Sequence, residues 1–78
     1  MDLSDIISQV IGIGKEEITE ETCPATNGSW TSMKHIALIS AVQTTYKVKF
    51  SLNEVKQLRN VGAFLEILRK KGVSNIKI

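Results

Sequence analysis

Thr31-Ser32-Met33-Lys34-His35-Ile36-Ala37-Leu38-Ile39-Ser40-Ala41-Val42-Gln43-Thr44-Thr45-Tyr46 contains neither Gly nor Pro and places apolar side chains at Ile36, Ile39 and Val42. That spacing predicts a helix over 32–46. Met33, Ala37, Leu38 and Ala41 spread apolar character around much of its circumference. A short helix apolar on most sides is usually a buried one, so this helix is expected at the centre of the fold. Thr31 is the expected N-cap, its hydroxyl accepting from an unpaired amide of the first turn, which makes Ser32 the first helical residue.

Before this segment, Leu3, Ile6, Ile7, Val10 and Ile11 fall at i, i+3, i+4, i+7 and i+8, one face of an amphipathic helix. Asp2 or Ser4 can cap its start, and Gly12 and Gly14 end it. Residues 13–30 have no long periodicity; Thr19, Thr22, Pro24, Thr26, Asn27, Gly28 and Ser29 favour turns. A connection of this length in a small domain is either functional or disordered. After the central helix, Lys47 to Phe50 alternates as a short extended link. Ser51-Leu52-Asn53-Glu54 fits a capping box and starts a short helix to about Leu58. Asn60 caps a last helix in which Val61, Phe64, Leu65 and Leu68 repeat at helical spacing. Arg69, Lys70 and Lys71 suit the negative end of its dipole, and Gly72 stops it.

The expected fold is therefore all-α: a small four-helix bundle, three main helices plus one short helix, with a long loop after helix one. A single domain is expected over 1–78, with its core over about 3–71 and a mobile tail at 73–78. Met33, Ile36, Ile39 and Val42 are expected to pack opposite Val61, Phe64, Leu65 and Leu68, with a partly apolar cleft between the two walls.

Composition narrows the function classes. Of 78 residues, 42% are hydrophobic and 23% charged, which argues against intrinsic disorder. The single cysteine, Cys23, excludes an internal disulfide framework and a Cys-based zinc site. No apolar run approaches the roughly 20 residues that span a membrane, so no membrane span is expected. Met1-Asp2-Leu3-Ser4-Asp5 is acidic where a signal peptide is basic, which points to a cytoplasmic protein, taken as a monomer. The net charge of +2 hides an asymmetry. Residues 1–30 hold six acids against Lys15, and residues 31–78 hold nine bases against Glu54 and Glu66. Lys34, Lys47, Lys49, Lys56, Arg59, Arg69, Lys70 and Lys71 therefore raise a rival from another class, a small basic nucleic-acid-binding domain. No short-turn helix pair presents an exposed polar recognition helix, so no nucleic-acid partner is expected.

Catalytic constellations are nearly absent. His35 and Cys23 could pair as base and nucleophile, but no third group at a recognisable spacing orients them. Gly12-Ile13-Gly14 lacks the third glycine and preceding strand of a dinucleotide turn. Glu16, Glu17, Glu20 and Glu21 lack the alternating ligands of a calcium loop and read as a solvated acidic loop. Asn27-Gly28-Ser29 has the form of a glycosylation acceptor and reads as a turn. No catalytic residue and no metal ligand is assigned.

The chemistry concentrates in Gly28-Ser29-Trp30-Thr31-Ser32-Met33-Lys34-His35-Ile36. Ser32 begins a helix directly after a polar loop, where its hydroxyl is expected to be exposed and the unpaired amides favour a phosphate. The plainer reading is that Ser32 only serves the helix start. Thr31-Ser32-Met33 resembles the Asp-Ser-Leu signature of the acyl carrier protein family, which stands at the start of that family's second helix. The resemblance covers about residues 3–71. It runs through Val10-Ile11-Gly12-Ile13, Glu16-Glu17-Ile18-Thr19, the serine helix, Tyr46-Lys47-Val48-Lys49-Phe50, the short third helix and Asn60-Val61-Gly62. Trp30 and His35 also resemble a subset of specialised carrier domains with Trp-Asp-Ser-Leu-x-His.

The resemblance implies a bundle of acyl-carrier-protein type that is not an enzyme. It implies 4′-phosphopantetheine on Ser32, whose thiol holds an acyl, aminoacyl or peptidyl group as a thioester in fatty-acid-like or specialised biosynthesis. It also implies a cleft sheltering an acyl chain and partner contacts at Thr31, Met33, Lys34 and His35. The implied partners are a phosphopantetheinyl transferase and dedicated acyl- or aminoacyl-transferring enzymes. Two departures stand out. Thr31 occupies the position of the family's aspartate, so the carboxylate that helps organise metal-assisted transfer is missing. Residues 31–50 contain Lys34, Lys47 and Lys49 and no acid, where the family's second helix is typically acidic. These departures keep open a second reading, a carrier-like adaptor without the cofactor.

Overall fold

Helix ends in this chain are set by hydrogen bonds between residues close in sequence. The computed structural model describes residues 2–73, apart from the side chain of Thr26. Helix α1 spans Leu3–Ile11, with the Asp5 carboxylate accepting from the Asp2 amide at 3.0 Å. It stops at Gly12, whose φ of +88° suits a residue without Cβ and whose amide donates to Ser8. Helix α2 spans Ser32–Tyr46, and Thr31 Oγ1 accepts from the Lys34 amide at 3.3 Å. Helix α3, Leu52–Gln57, opens with the expected box: Ser51 Oγ accepts from the Glu54 amide at 3.2 Å, and Glu54 Oε1 accepts from the Ser51 amide at 2.8 Å. Helix α4 spans Val61–Lys70, where Asn60 Oδ1 accepts from the Ala63 amide at 2.8 Å. The chain is all-α, a four-helix bundle with a long first loop, and no strand occurs among the described residues. Of the expected tail, Val73 packs partly against the core and its amide donates to Leu68 at 3.0 Å; residues 74–78 lie outside the described residues.

The core joins the apolar face of α1 to Leu38, Ile39 and Val42 of α2, Leu58, and Val61, Phe64, Leu65, Ile67 and Leu68 of α4. One expectation needs correcting. Helix α2 is not buried on most sides: Met33 is 83% exposed and Ile36 68% exposed. At about 100° per residue, Leu38, Ile39 and Val42 form one stripe with His35 and Tyr46, whereas Met33 falls on the opposite side. A bundle this small has no further layer to cover that side. The expected apolar cleft also differs. Ile39 and Val42 on one wall and Val61, Phe64, Leu65 and Leu68 on the other are all buried in the same core. An open depression of about 370 Å³ lies instead at the C-terminal end of α2, lined by Gln43, Thr44, Lys47, Val48 and Lys49.

The long loop is ordered through burial of Ile13, Ile18 and Trp30 and through two 3-10 turns, Lys15–Glu17 and Pro24–Thr26. Thr22 Oγ1 accepts from the Thr19 amide at 2.9 Å, closing a tight turn. That turn offers its carbonyls to the start of α4: Val61 donates to Thr22 at 3.0 Å and Gly62 to Glu20 at 2.8 Å. A Cβ on Gly62 would stand 3.2 Å from the Glu20 carbonyl oxygen, so the absence of a side chain permits the approach. Lys71 fastens the other end of α4, reaching Glu54 at 2.8 Å with its ammonium 5.8 Å from the centre of the Phe50 ring.

Candidate functional site

The starts of α2 and α4 are built differently: that of α4 is closed by the loop, whereas that of α2 is left open. The start of α3 is open too, its Leu52 and Asn53 amides having no partner among the described residues; what sets α2 apart is the exposed Ser32 at its first position. The first helical amides of α4, at Val61, Gly62 and Ala63, are taken up by Thr22, Glu20 and Asn60. In α2 the Lys34 amide bonds Thr31 Oγ1 and the His35 amide bonds the Thr31 carbonyl at 2.8 Å. The amides of Ser32 and Met33 have no partner among the described residues. Unpaired amides at a helix start carry partial positive charge directed outward, which suits a phosphate oxygen. Ser32 itself is exposed, so a group attached to its Oγ would stand beside these two amides.

Thr31, Met33 and Lys34 are exposed around Ser32. Thr31 spends its hydroxyl on the cap and supplies no charge. The Lys34 ammonium donates to the Ile11 carbonyl at 3.3 Å, tying the start of α2 to the unsatisfied end of α1. Ile36 joins this surface although its spacing suggested a core position. The signal was available: Ser32 and Ile36 are i and i+4, so a serine facing solvent brings the isoleucine one turn later with it. Beyond it the outward side of α2 continues through the exposed Ala37, Ser40 and Thr44 towards Lys47.

His35 sits differently. Its half-buried ring accepts a hydrogen bond at Nδ1 from Trp30 Nε1 at 2.9 Å, and the Phe64 ring meets it nearly edge-on at 6.1 Å. Trp30 is 3% exposed. Trp and His five residues apart, straddling the cap, are therefore joined by a hydrogen bond that pins the end of the loop. Burial holds the His35 pKa below its ordinary value. With Nδ1 occupied as an acceptor, the neutral ring carries its proton on Nε2.

The other sequence candidates do not assemble into a site. Cys23 is half-buried beside the second 3-10 turn, its carbonyl accepting from Asn27 Nδ2 at 3.2 Å. The His35 nitrogen that could serve it as a base, Nδ1, is committed to Trp30. Glu16, Glu17, Glu20 and Glu21 are exposed, and no group of three or more His, Cys, Asp or Glu among the described residues could hold a metal ion. No described helix is long and apolar enough to cross a membrane. Comparison with protein-family models and with curated proteins finds no match to this chain.

Proposed function

We propose that this chain is a carrier protein of the acyl carrier kind, with 4′-phosphopantetheine attached to Ser32 and an acyl or aminoacyl group held as a thioester on the arm. The supporting observation is the open helix start: exposed Ser32 opens α2 with the Ser32 and Met33 amides unspent, while the loop closes the start of α4. The arm's phosphate would lie against those amides. When bound, the cofactor supplies the thiol; the chain supplies attachment and presentation. Met33, Ile36 and Lys34 form the surface beside the attachment point that enzymes acting on the cargo would meet. With no acid from Thr31 to Phe50, that surface suits dedicated partners with acidic or mainly apolar entrances. The reading carries with it a cytoplasmic monomer that has no catalytic residues of its own.

The test is the intact mass after incubation with coenzyme A and a broad-specificity phosphopantetheinyl transferase. Wild type is expected to gain one phosphopantetheine and Ser32→Ala none. A second reading, an adaptor on the same fold without the arm, draws on Thr31, whose hydroxyl caps the helix where the family has a carboxylate. A wild-type protein left unmodified by several transferases, including one from its own organism, would overturn the carrier reading in favour of the adaptor.

A further inference from the structure

We infer that the hydrogen bond from Trp30 Nε1 to His35 Nδ1 is a proton-sensitive latch that fixes the end of the long loop and, through it, the Thr31–Ser32 helix start. The geometry requires His35 to be neutral. Nδ1 accepts the indole proton at 2.9 Å, and imidazolium has no lone pair there, so protonation sets two N–H groups against each other. Trp30 is almost wholly buried, and an indole N–H that loses its acceptor inside the fold is costly to leave unpaired. His35 stands one turn into α2, near the helix end that disfavours a positive charge.

Among the described residues His35 has no ion-pair partner to compensate an imidazolium. The loop presents Trp30 and α4 presents Phe64, neither of which titrates in this range. Lys34, the adjacent residue of α2, has its ammonium on the Ile11 carbonyl of α1. Burial is the cause of the lowered His35 pKa. A folded pKa below the ordinary 6.5 fixes the sign: the contribution to stability is complete above about pH 6.5 and is lost as pH falls through the folded value.

Release acts on the site because little chain separates the two. Trp30 immediately precedes Thr31, whose amide donates to Ser29 at 3.1 Å, while the Trp30 amide donates to Asn27 at 3.0 Å. Freeing the indole therefore loosens the short turn that delivers the cap residue and Ser32. This regulatory consequence rests on the carrier reading; the latch itself does not.

His35 is the sole histidine, so its ring can be followed without ambiguity in the full chain. Nitrogen-15 NMR of the unmodified protein across about pH 5–8 is expected to show Nε2–H and bare Nδ1 in the neutral ring, with a midpoint below that of a free histidine. Trp30 emission should shift to the red with the same midpoint. The variant His35→Asn keeps an acceptor oxygen near the position of Nδ1 and cannot titrate, so its Trp30 emission and melting temperature should be flat over this interval. Proton on Nδ1, an ordinary midpoint, or Trp30 emission that ignores the titration would each overturn the latch. Should His35→Asn fold poorly, the wild-type NMR and emission midpoints still decide. For the site, the initial loading rate of wild type relative to His35→Asn is expected to fall on moving from about pH 7.5 to pH 5.5, a ratio that cancels the transferase's own pH dependence. A constant ratio would overturn the coupling to Ser32. A protein that no transferase loads overturns the carrier reading and leaves the NMR and fluorescence results intact.

Discussion

Replacing Phe64 by Ala probes the register of α4 and the packing that holds α2 in place. Phe64 is fully buried, its ring nearly edge-on to Phe50 at 6.3 Å and to His35 at 6.1 Å. Truncating a buried Phe costs about 3–5 kcal/mol, the lost transfer free energy plus the residual cavity. Edge-on ring pairs are worth about 0.5–1.5 kcal/mol each, and Ala forfeits two, so the upper part of that whole-residue range, about 4–5 kcal/mol, is expected. A 78-residue domain at typical per-residue values has about 4–12 kcal/mol of stability in all. The variant should melt at least about 16 °C below wild type, or lose its cooperative transition. Urea denaturation followed by far-UV circular dichroism gives the magnitude. Phe64→Leu, which restores volume but neither ring pair, should fall between the two proteins. Cooperative melting of Phe64→Ala at the wild-type temperature would refute the placement of Phe64 in the core.

Three further outcomes are expected. Thr31→Asp keeps a capping oxygen, so stability should change by less than about 1 kcal/mol, while a carboxylate beside the Ser32 hydroxyl speeds loading by a general transferase; equal loading rates would show that the missing acid is not the constraint. Lys34→Glu breaks the bond to the Ile11 carbonyl and reverses the charge beside Ser32. It should weaken transfer by a dedicated partner and improve acceptance by an enzyme with a basic entrance, both effects shrinking with salt, and unchanged selectivity would refute the charge discrimination. Glu54 has its pKa lowered first by the Lys71 ammonium and then by the Ser51 amide, so its contribution is present above the ordinary 4.5 and is lost as pH falls through the folded value. Glu54→Gln should flatten that part of the acid limb in a pH series of melting temperatures, and an identical limb in both proteins would remove Glu54 as a cause.

The helix boundaries were legible in the sequence because each depends on groups three or four residues apart. Asp2 with Asp5, Thr31 with Lys34, Ser51 with Glu54 and Asn60 with Ala63 are local pairs, and Gly12 and Gly72 take positive φ where helices end. The apolar faces of α1 and α4 were equally readable, since each has one clear stripe. Helix α2 was not, because apolar residues surround it; only the limited number of neighbours decided that Leu38, Ile39 and Val42 face inward and Met33 and Ile36 outward. Ser32 could be placed from the sequence at a helix start, where unpaired amides are general; that this start stays open while the start of α4 is closed by Glu20 and Thr22 could not. Those bonds span about forty residues of chain, as the Lys34 bond to Ile11 spans 23. Local sequence carries capping and periodicity because their partners lie within a turn. Which face is covered, where the loop docks, and that His35 receives the Trp30 indole proton follow only when distant segments compete for the same small core.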